Sequence, residues 1–148
     1  MALDKKFIDQ FENVTSKAAL AASYFVGKKD KFGADKAAVD SMRSELNKLN
    51  IKGNIVIGEG ELDEAPMLYI GEILGTKKGP EFDIAVDPLE GTNFAGNNLP
   101  GALSVIAISE KNNIFKAPET YMEKISAKVN EKNVVDLDYT VKKNISNL

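Results

Sequence analysis

The first fifty residues carry two stripes of apolar side chains that recur every three or four positions, the spacing of an amphipathic helix. The first stripe predicts a long helix from about residue 4 to residue 26, stopped by Gly27. The second predicts another helix that begins near Asp35 and ends before Gly53. The stripes consist of Phe7, Phe11, Val14, Ala18 and Phe25 in the first helix and of Ala38, Met42, Leu46 and Leu49 in the second.

Beyond the second helix the apolar residues form short runs bounded by glycine and polar residues, a pattern typical of buried strands. Between the first two runs Pro66 stands at a favoured first-turn position, so we predict a short helix there that ends near Gly71 or Gly75. The three predicted central strands are 54–58, 82–87 and 102–108.

The last third of the chain has weaker patterns. Residues 111–113 predict a hairpin turn that leads into Ile114 and Phe115, and the segment 121–129 alternates weakly, as a further strand would. The last ten residues predict a helix. Because no repeat, low-complexity tract or linker interrupts the sequence, we expect one helix-plus-sheet unit.

The composition excludes several kinds of chemistry. The 148 residues include no Cys and no His, which excludes a disulfide frame, a thiolate nucleophile, a Ser-His-Asp triad and Cys- or His-bound metal. With Arg43 as its single arginine and a net charge of -3, the chain is a poor candidate for binding nucleic acid. We find neither a membrane-spanning run nor a signal peptide, and expect a soluble, cytoplasmic protein.

The acidic residues are concentrated in one part of the chain. From Glu59 to Glu90 there are nine acids and two lysines, a net charge of -7, whereas the remainder carries 13 acids and 17 bases, a net charge of +4. The position of these acids relative to the predicted strands therefore decides the functional interpretation.

The first predicted strand runs into an acidic segment. In extended backbone, the period of two places Glu59, Glu61 and Asp63 on one side, and Gly60 allows close approach of the backbone. Two unit charges at about 4 Å repel by roughly 4 kcal/mol at an effective dielectric constant near 20, so three clustered carboxylates call for cations. Taken alone, however, such a segment is more often a solvated loop that adds negative charge before a helix.

The second predicted strand also ends in acid. Pro88 forces a turn after Asp87, and Glu90 returns three residues later, a spacing that can bring two carboxylates onto one metal. Gly91 and Thr92 offer backbone amides and a hydroxyl at a predicted helix N-terminus, a natural place for phosphate. The alternative is a simple turn that Asp87 caps. Two acidic strand ends favour a site, because neighbouring strand ends meet where ligands bind in open α/β sheets.

Three segments of the sequence, 57–69, 83–92 and 117–124, resemble class II fructose-1,6-bisphosphatase. The Asp-Pro-Leu-Glu-Gly-Thr stretch that begins at Asp87 is also similar to the Asp-Pro-hydrophobic-Asp-Gly-Thr motif of the lithium-sensitive phosphatase superfamily, which includes inositol monophosphatases. The Gly-Glu-Gly-Glu stretch that begins at Gly58, followed by Asp-Glu-Ala-Pro-Met, is more specific and selects the class II branch.

The resemblance implies an α+β sugar phosphatase fold in which two long helices pack on a mixed β-sheet. Since family members are substantially longer, it implies that residues 1–148 are an N-terminal metal-binding domain without the C-terminal domain. The implied reaction is hydrolysis of the 1-phosphate of fructose 1,6-bisphosphate, a gluconeogenic step that depends on Mg²⁺ or Mn²⁺. The implied metal ligands are Asp35, Glu59, Asp87 and Glu90, and the implied sugar bisphosphate contacts are Glu90, Gly91, Thr92 and Tyr121.

Metal-assisted hydrolysis of a phosphate monoester needs no His or Cys. In such a reaction Thr92 can orient the attacking water, and Asp63 or Glu61 can accept its proton. The resemblance also implies that Lys31 and Asp63 lie close enough to the site to affect turnover.

The residues taken alone favour more ordinary roles for part of this set. The pattern predicts that Asp35 is the N-cap of the second helix, that Tyr121 is a half-buried aromatic residue of a strand, and that Lys31 is a surface lysine. Their functional roles are therefore expectations from the resemblance.

The sequence departs from the family pattern at 93–101 and 126–128, and the resemblance ends at about Lys124. Two kinds of function remain open. The chain is either part of a sugar bisphosphatase, acting on fructose or sedoheptulose bisphosphate or a related sugar or inositol phosphate, or a non-catalytic domain that binds metal or a partner. Because half of a fold would expose apolar surface, we also expect a homo-oligomer.

Overall fold

The structure, a computed structural model, describes residues 5–59, 68–116 and 122–148. The chain divides into two compact units, Met1–Ala117 and Pro118–Leu148. The described residues form four helices and four strands, which confirms the α+β class. In chain order these are α1 (Lys5–Ser23), α2 (Lys31–Lys48), β1 (Lys52–Ile57), β2 (Ile73–Leu74), β3 (Glu81–Glu90), α3 (Thr92–Gly96), β4 (Leu103–Glu110) and α4 (Val141–Asn147).

The four strands form one mixed sheet in the order β2-β1-β3-β4. β1 runs parallel to β3, while β2 and β4 pair antiparallel with β1 and β3 respectively. In the parallel pair Ile55 lies opposite Ile84, and the last paired residues are Ile57 and Ala85. Glu59 and Asp87 each come two residues later, so the parallel pairing brings these two acids to the same edge of the sheet.

The two predicted helical stripes are confirmed as the packed faces of α1 and α2, except that α1 ends at Ser23, so the predicted helix end at residue 26 is wrong and Phe25 lies in the following turn. Both helices pack on the sheet and on each other. Phe11 and Phe7 contact Phe82 of β3 edge to face, with ring centroids 6.2 and 5.2 Å apart. Full burial of one large apolar side chain is worth about 1.5–3 kcal/mol, so this layer contributes substantially to the stability of the first unit. The buried side chains of the two helices are Phe11, Val14, Ala18, Ala22, Ala34, Ala38, Val39, Met42 and Leu46.

The second helix begins four residues earlier than predicted, and its N-cap is Asp30. The Oδ1 atom of Asp30 accepts a hydrogen bond from the Gly33 N–H at 2.8 Å. The interpretation of Asp35 as the cap is therefore wrong. Lys29 enters the helix from a left-handed conformation with φ 59, a backbone state that the sequence pattern does not signal.

Two predicted elements around the sheet are wrong in the part that the structure describes. Residues 68–75 form a turn and β2 instead of the end of a helix, while 60–67 lie outside the described residues. Residues 122–129 contain no strand.

The turn after β4 and the terminal helix are confirmed. Asn113 N–H donates to the Glu110 carbonyl at 3.2 Å, although no strand follows at Ile114 and Phe115. In the second unit, the Thr140 hydroxyl caps α4 by accepting from Lys143 N–H at 3.2 Å. No helix among the described residues is long and apolar enough to cross a membrane.

Candidate functional site

A bulge in β3 brings Asp87 and Glu90 to the same side of the sheet. Asp87 pairs with Val105 and Glu90 with Leu103, so three steps along β3 match two along β4. Without the extra residue, positions three apart in a strand would point to opposite faces. Pro88, which has no N–H to donate, lies within this bulge, so the expected turn at Pro88 is wrong and the strand continues past it.

The Asp87 carboxyl is the centre of the acidic group. Its Oδ1 accepts a hydrogen bond from Leu89 N–H at 3.1 Å, and its carboxyl group lies close enough to those of Glu90 and Glu59 for both to influence its pKa. Glu59 is held in place by its own N–H, which donates to the Leu68 carbonyl at 3.0 Å. The three carboxyl groups therefore lie close together where β1 and β3 end side by side.

The surroundings of Asp87 make it hard to ionise. Burial raises the pKa of its carboxyl to about 6, and the hydrogen bond and negative charge of Glu90 act in the same direction. The Glu59 side chain and the hydrogen bond from Leu89 N–H lower the pKa by a smaller amount. A positive charge bound beside this carboxyl would lower its pKa and favour the ionised form.

Gly91 and Thr92 turn the chain from β3 into α3. Gly91 has φ 80 and ψ 44, a left-handed conformation that favours glycine, and a Cβ there would lie 3.1 Å from Phe94 Cδ2. Thr92 is the first residue of α3. The predicted helix start directly after the acidic strand end is therefore confirmed, and Thr92 lies two residues from Glu90.

The described contacts do not join Asp35 or Lys31 to this group. Asp35 lies half-buried near the start of α2, where burial raises the pKa of its carboxyl. The Lys31 side chain is exposed, and its Nζ lies 5.1 Å from the centre of the Phe32 ring. Glu61, Asp63 and Tyr121 lie outside the described residues.

Within the ranges that the structure describes, no three acidic, His or Cys side chains are arranged to hold a metal ion. The donors at Asp87 nevertheless match a hard divalent cation in kind, since Mg²⁺ and Mn²⁺ prefer carboxylate oxygens. The group thus fits such a cation in its chemistry, and a complete set of ligands needs further donors.

Two further acids of the stretch from Glu59 to Glu90 have structural roles that we did not predict from the sequence. Asp83, buried in β3, accepts a hydrogen bond from Asn112 N–H at 2.6 Å and so holds the turn after β4. Glu72 forms a two-pronged ion pair with Arg43, at 2.8 and 3.2 Å. The sequence does contain a signal for the role of Asp83, because an acid within an apolar strand is expected to be buried and hydrogen-bonded.

Comparison with known proteins gives consistent matches over nearly the whole chain. Residues 5–148 match the family described as "Bacterial fructose-1,6-bisphosphatase, glpX-encoded". The match extends past Lys124, so the expected end of the resemblance there is wrong. The solved structure of an extragenic suppressor from Pyrococcus furiosus covers 72% of this chain and 41% of its own, with 18% identity and a TM-score of 0.49.

Two curated relatives illustrate the similarity. "Fructose-1,6-bisphosphatase 1 class 2" of Escherichia coli (strain K12) is 48% identical over 139 residues, which cover 94% of this chain and 41% of the relative. "D-fructose 1,6-bisphosphatase class 2/sedoheptulose 1,7-bisphosphatase" of Prochlorococcus marinus (strain MIT 9303) is 44% identical over 144 residues, 97% of this chain and 43% of the relative. The chain thus spans less than half the length of these relatives.

Proposed function

The chain belongs to the bacterial fructose-1,6-bisphosphatase family, and on that premise we propose that it forms the metal-binding part of a sugar bisphosphatase. The observation that supports the proposal is the proximity of the Asp87 carboxyl to those of Glu59 and Glu90 at the adjoining ends of β1 and β3. Glu59 comes from a part of the sequence distant from Asp87 and Glu90, so the group is unlike an ordinary solvated loop. The mutual repulsion of the three acids opposes folding unless a cation offsets it.

We assign Glu59, Asp87 and Glu90 as ligands of Mg²⁺ or Mn²⁺, with Asp35 of α2 as a further donor. When bound, the cation would polarise the phosphoryl oxygens and lower the pKa of a coordinated water. Asp87 has to release its proton before it binds, and its raised pKa makes this release depend on pH near 6.

The segment from Glu90 to Thr92 is assigned to the reacting phosphate and its sugar. The left-handed Gly91 lets the backbone turn directly from the acidic strand end into α3, so Thr92, the first residue of α3, follows Glu90 by two residues. In this position the hydroxyl can accept a hydrogen bond from the attacking water and so orient it. Glu61 or Asp63 is assigned as the proton acceptor, Tyr121 as a sugar contact, and Lys31 as a residue that affects turnover.

The proposed substrate is fructose 1,6-bisphosphate, cleaved at the 1-phosphate in gluconeogenesis. Sedoheptulose 1,7-bisphosphate is a second candidate, because the printed name of the Prochlorococcus relative includes that activity. The proposed setting is the cytoplasm, with the chain as a homo-oligomer.

The test is release of inorganic phosphate from each bisphosphate by the 148-residue chain with Mn²⁺ or Mg²⁺. We expect release by the parent chain and none by the Asp87→Asn variant. A chain that binds Mn²⁺ but releases no phosphate would favour the second candidate function, a non-catalytic domain that binds metal or a partner. The observation behind that candidate is that the chain covers only 41–43% of its relatives.

A further inference from the structure

The connection between α1 and α2 is bonded to the end of α3. Gly27 N–H donates to the Ala95 carbonyl at 3.0 Å, and Lys29 N–H donates to the Gly96 carbonyl at 2.8 Å. Carbonyls in the last turn of a helix have no donor within the helix. Because α3 has only five residues, far fewer than a helix needs to be stable alone, these two bonds contribute to holding it in place.

This connection adopts a backbone conformation that is costly for one of its residues. Gly27 has φ 74 and Lys29 has φ 59. Glycine reaches the left-handed region readily, whereas this region is unfavourable for Lys29. Strain of this kind persists only where the surrounding structure holds the backbone, and the hydrogen bond from Lys29 N–H to the Gly96 carbonyl is one contact that does so.

The bonded connection joins two segments of the proposed site. After Lys29 the chain enters α2 at once through the cap Asp30, and Gly96 lies so close to this start that a Cβ on it would be 3.6 Å from Lys31 N. The opposite end of α3 begins at Thr92. One short helix therefore contacts the start of α2 at one end and carries Thr92 at the other.

We propose that the N–H groups of Gly27 and Lys29 form a latch that positions the start of α2 relative to the segment from Glu90 to Thr92. Lys29 is then a positioning residue for the cation and phosphate site, acting through its backbone and making no contact with the ligand. The identity of that site as one for a cation and a phosphate rests on the proposed function. The latch itself, as a constraint on α3, does not depend on that function.

A second lysine offers a matched control. Lys77 also has a left-handed backbone, with φ 64, and its N–H donates to the Ile51 carbonyl at 2.9 Å. It lies between β2 and β3, away from α3. Proline removes the N–H and forbids positive φ, while glycine keeps the N–H and relieves the strain, so the same pair of substitutions can be made at both positions.

The first measurement is hydrogen exchange of the Asn97 and Asn98 amides, which bond within the last turn of α3. We expect Lys29→Pro to speed their exchange, Lys29→Gly to slow it, and the two Lys77 variants to leave it unchanged. Equal exchange in Lys29→Pro and Lys77→Pro, at equal loss of Tm, would overturn the latch.

The second measurement is the Mn²⁺ dissociation constant of the same variants. Mutating a residue that orients the metal ligands without touching the metal typically lowers metal affinity by about 10- to 100-fold. We therefore expect about tenfold weaker Mn²⁺ binding for Lys29→Pro and an unchanged dissociation constant for Lys77→Pro. If the parent chain binds no Mn²⁺, the proposed function is wrong, but the exchange rates of the Asn97 and Asn98 amides still show whether the latch holds α3 in place. If the parent binds Mn²⁺ and both proline variants bind it equally, the positioning role alone fails.

Discussion

Glu59 and Asp87 lie at the adjoining carboxyl ends of two parallel strands, with their side chains close enough to interact. The two acids are 28 positions apart in the sequence, so only the pairing of β1 with β3 brings them together. Their proximity is unfavourable by itself, and the first two predictions depend on what offsets it.

Removing either charge should abolish stabilisation by metal without unfolding the protein. At a Mn²⁺ concentration 100 times the Kd, binding stabilises the folded state by about 2.7 kcal/mol, which thermal unfolding detects as a higher Tm. We expect no such increase for Glu59→Gln or Asp87→Asn, and an unaltered apo fold, because acids that repel one another do not hold a fold together.

Glu81→Gln is the control for these variants. Glu81 lies at the start of the same strand as Asp87, where Lys111 and Lys52 pair with it and hold the pKa of its carboxyl down at about 2. This variant should keep the Mn²⁺-dependent increase in Tm. A full increase in the Asp87→Asn variant would mean that the site has been misplaced.

The stability of the metal-free protein should fall as the pH rises through about 6. The folded pKa of Asp87, about 6, lies above its ordinary value of 3.8, so the folded state binds more protons than the unfolded state between these values. The contribution of this carboxyl is fully present below pH 3.8 and is lost as the pH passes 6.

Urea unfolding in EDTA between pH 4 and pH 7.5 measures this effect, as the difference between the parent chain and Asp87→Asn. We expect the parent to lose stability relative to the variant across this interval. Parallel curves for the two proteins would contradict the raised pKa of Asp87.

The ion pair between Arg43 and Glu72 should contribute to stability and not to metal binding. Its side chains are only 24% and 13% exposed, so Arg43→Met leaves a largely buried carboxylate without its main cation. We expect a loss of about 2 kcal/mol, less than for a fully buried pair, with the Mn²⁺ affinity unchanged.

The exposed pair of Lys48 and Glu45 provides the comparison, since Lys48 is 62% exposed. Lys48→Met should cost less than about 0.5 kcal/mol. Urea midpoints measure both losses, and equal losses would show that the burial of the Arg43 pair does not matter.

The outer edge of β4 should promote self-association. Among the described strands β4 lies at the sheet edge, and Leu103 and Val105 are 59% and 44% exposed on it. The strand carries no charge before Glu110 at its end, and a long apolar stretch at a sheet edge is a template for pairing with a second copy. We expect Val105→Lys to shift the chain towards monomer in sedimentation velocity, and Val141→Lys on α4 to leave the distribution unchanged. Identical distributions for the two variants would exclude this edge.

The sequence predicted the parts of the fold that depend on periodicity. The stripes through Phe11 and Met42 became the buried faces of α1 and α2, because the same side chains that form a helical stripe have to be buried. The meeting of Glu59 with Asp87 also followed from sequence, since both acids end apolar runs and parallel strands bring such ends together.

The parts that were missed depend on single backbone conformations. Asp30 and Asp35 are both suitable caps by residue type, and only the left-handed Lys29 before Asp30 decides between them. Pro88 could end a strand or lie in a bulge, and the pairing of its neighbours with β4 decides for the bulge. A pattern of apolar and polar positions contains neither kind of information.

The register of the parallel pair has a consequence for folding. Sliding β3 by one residue along β1 would turn Asp87 to the other face and separate it from Glu59, so the misregistered pair would escape their repulsion. The native register is therefore locally frustrated at the proposed metal site, because it brings Glu59 and Asp87 together. Elsewhere along the pair, Gly53 leaves room for Ile84 Cδ1 where a Cβ would lie only 2.5 Å away. The packing of Ile84 against Gly53 has to stabilise the native register by more than the repulsion between Glu59 and Asp87 destabilises it. A larger residue at position 53 would weaken this packing and so favour the shifted register.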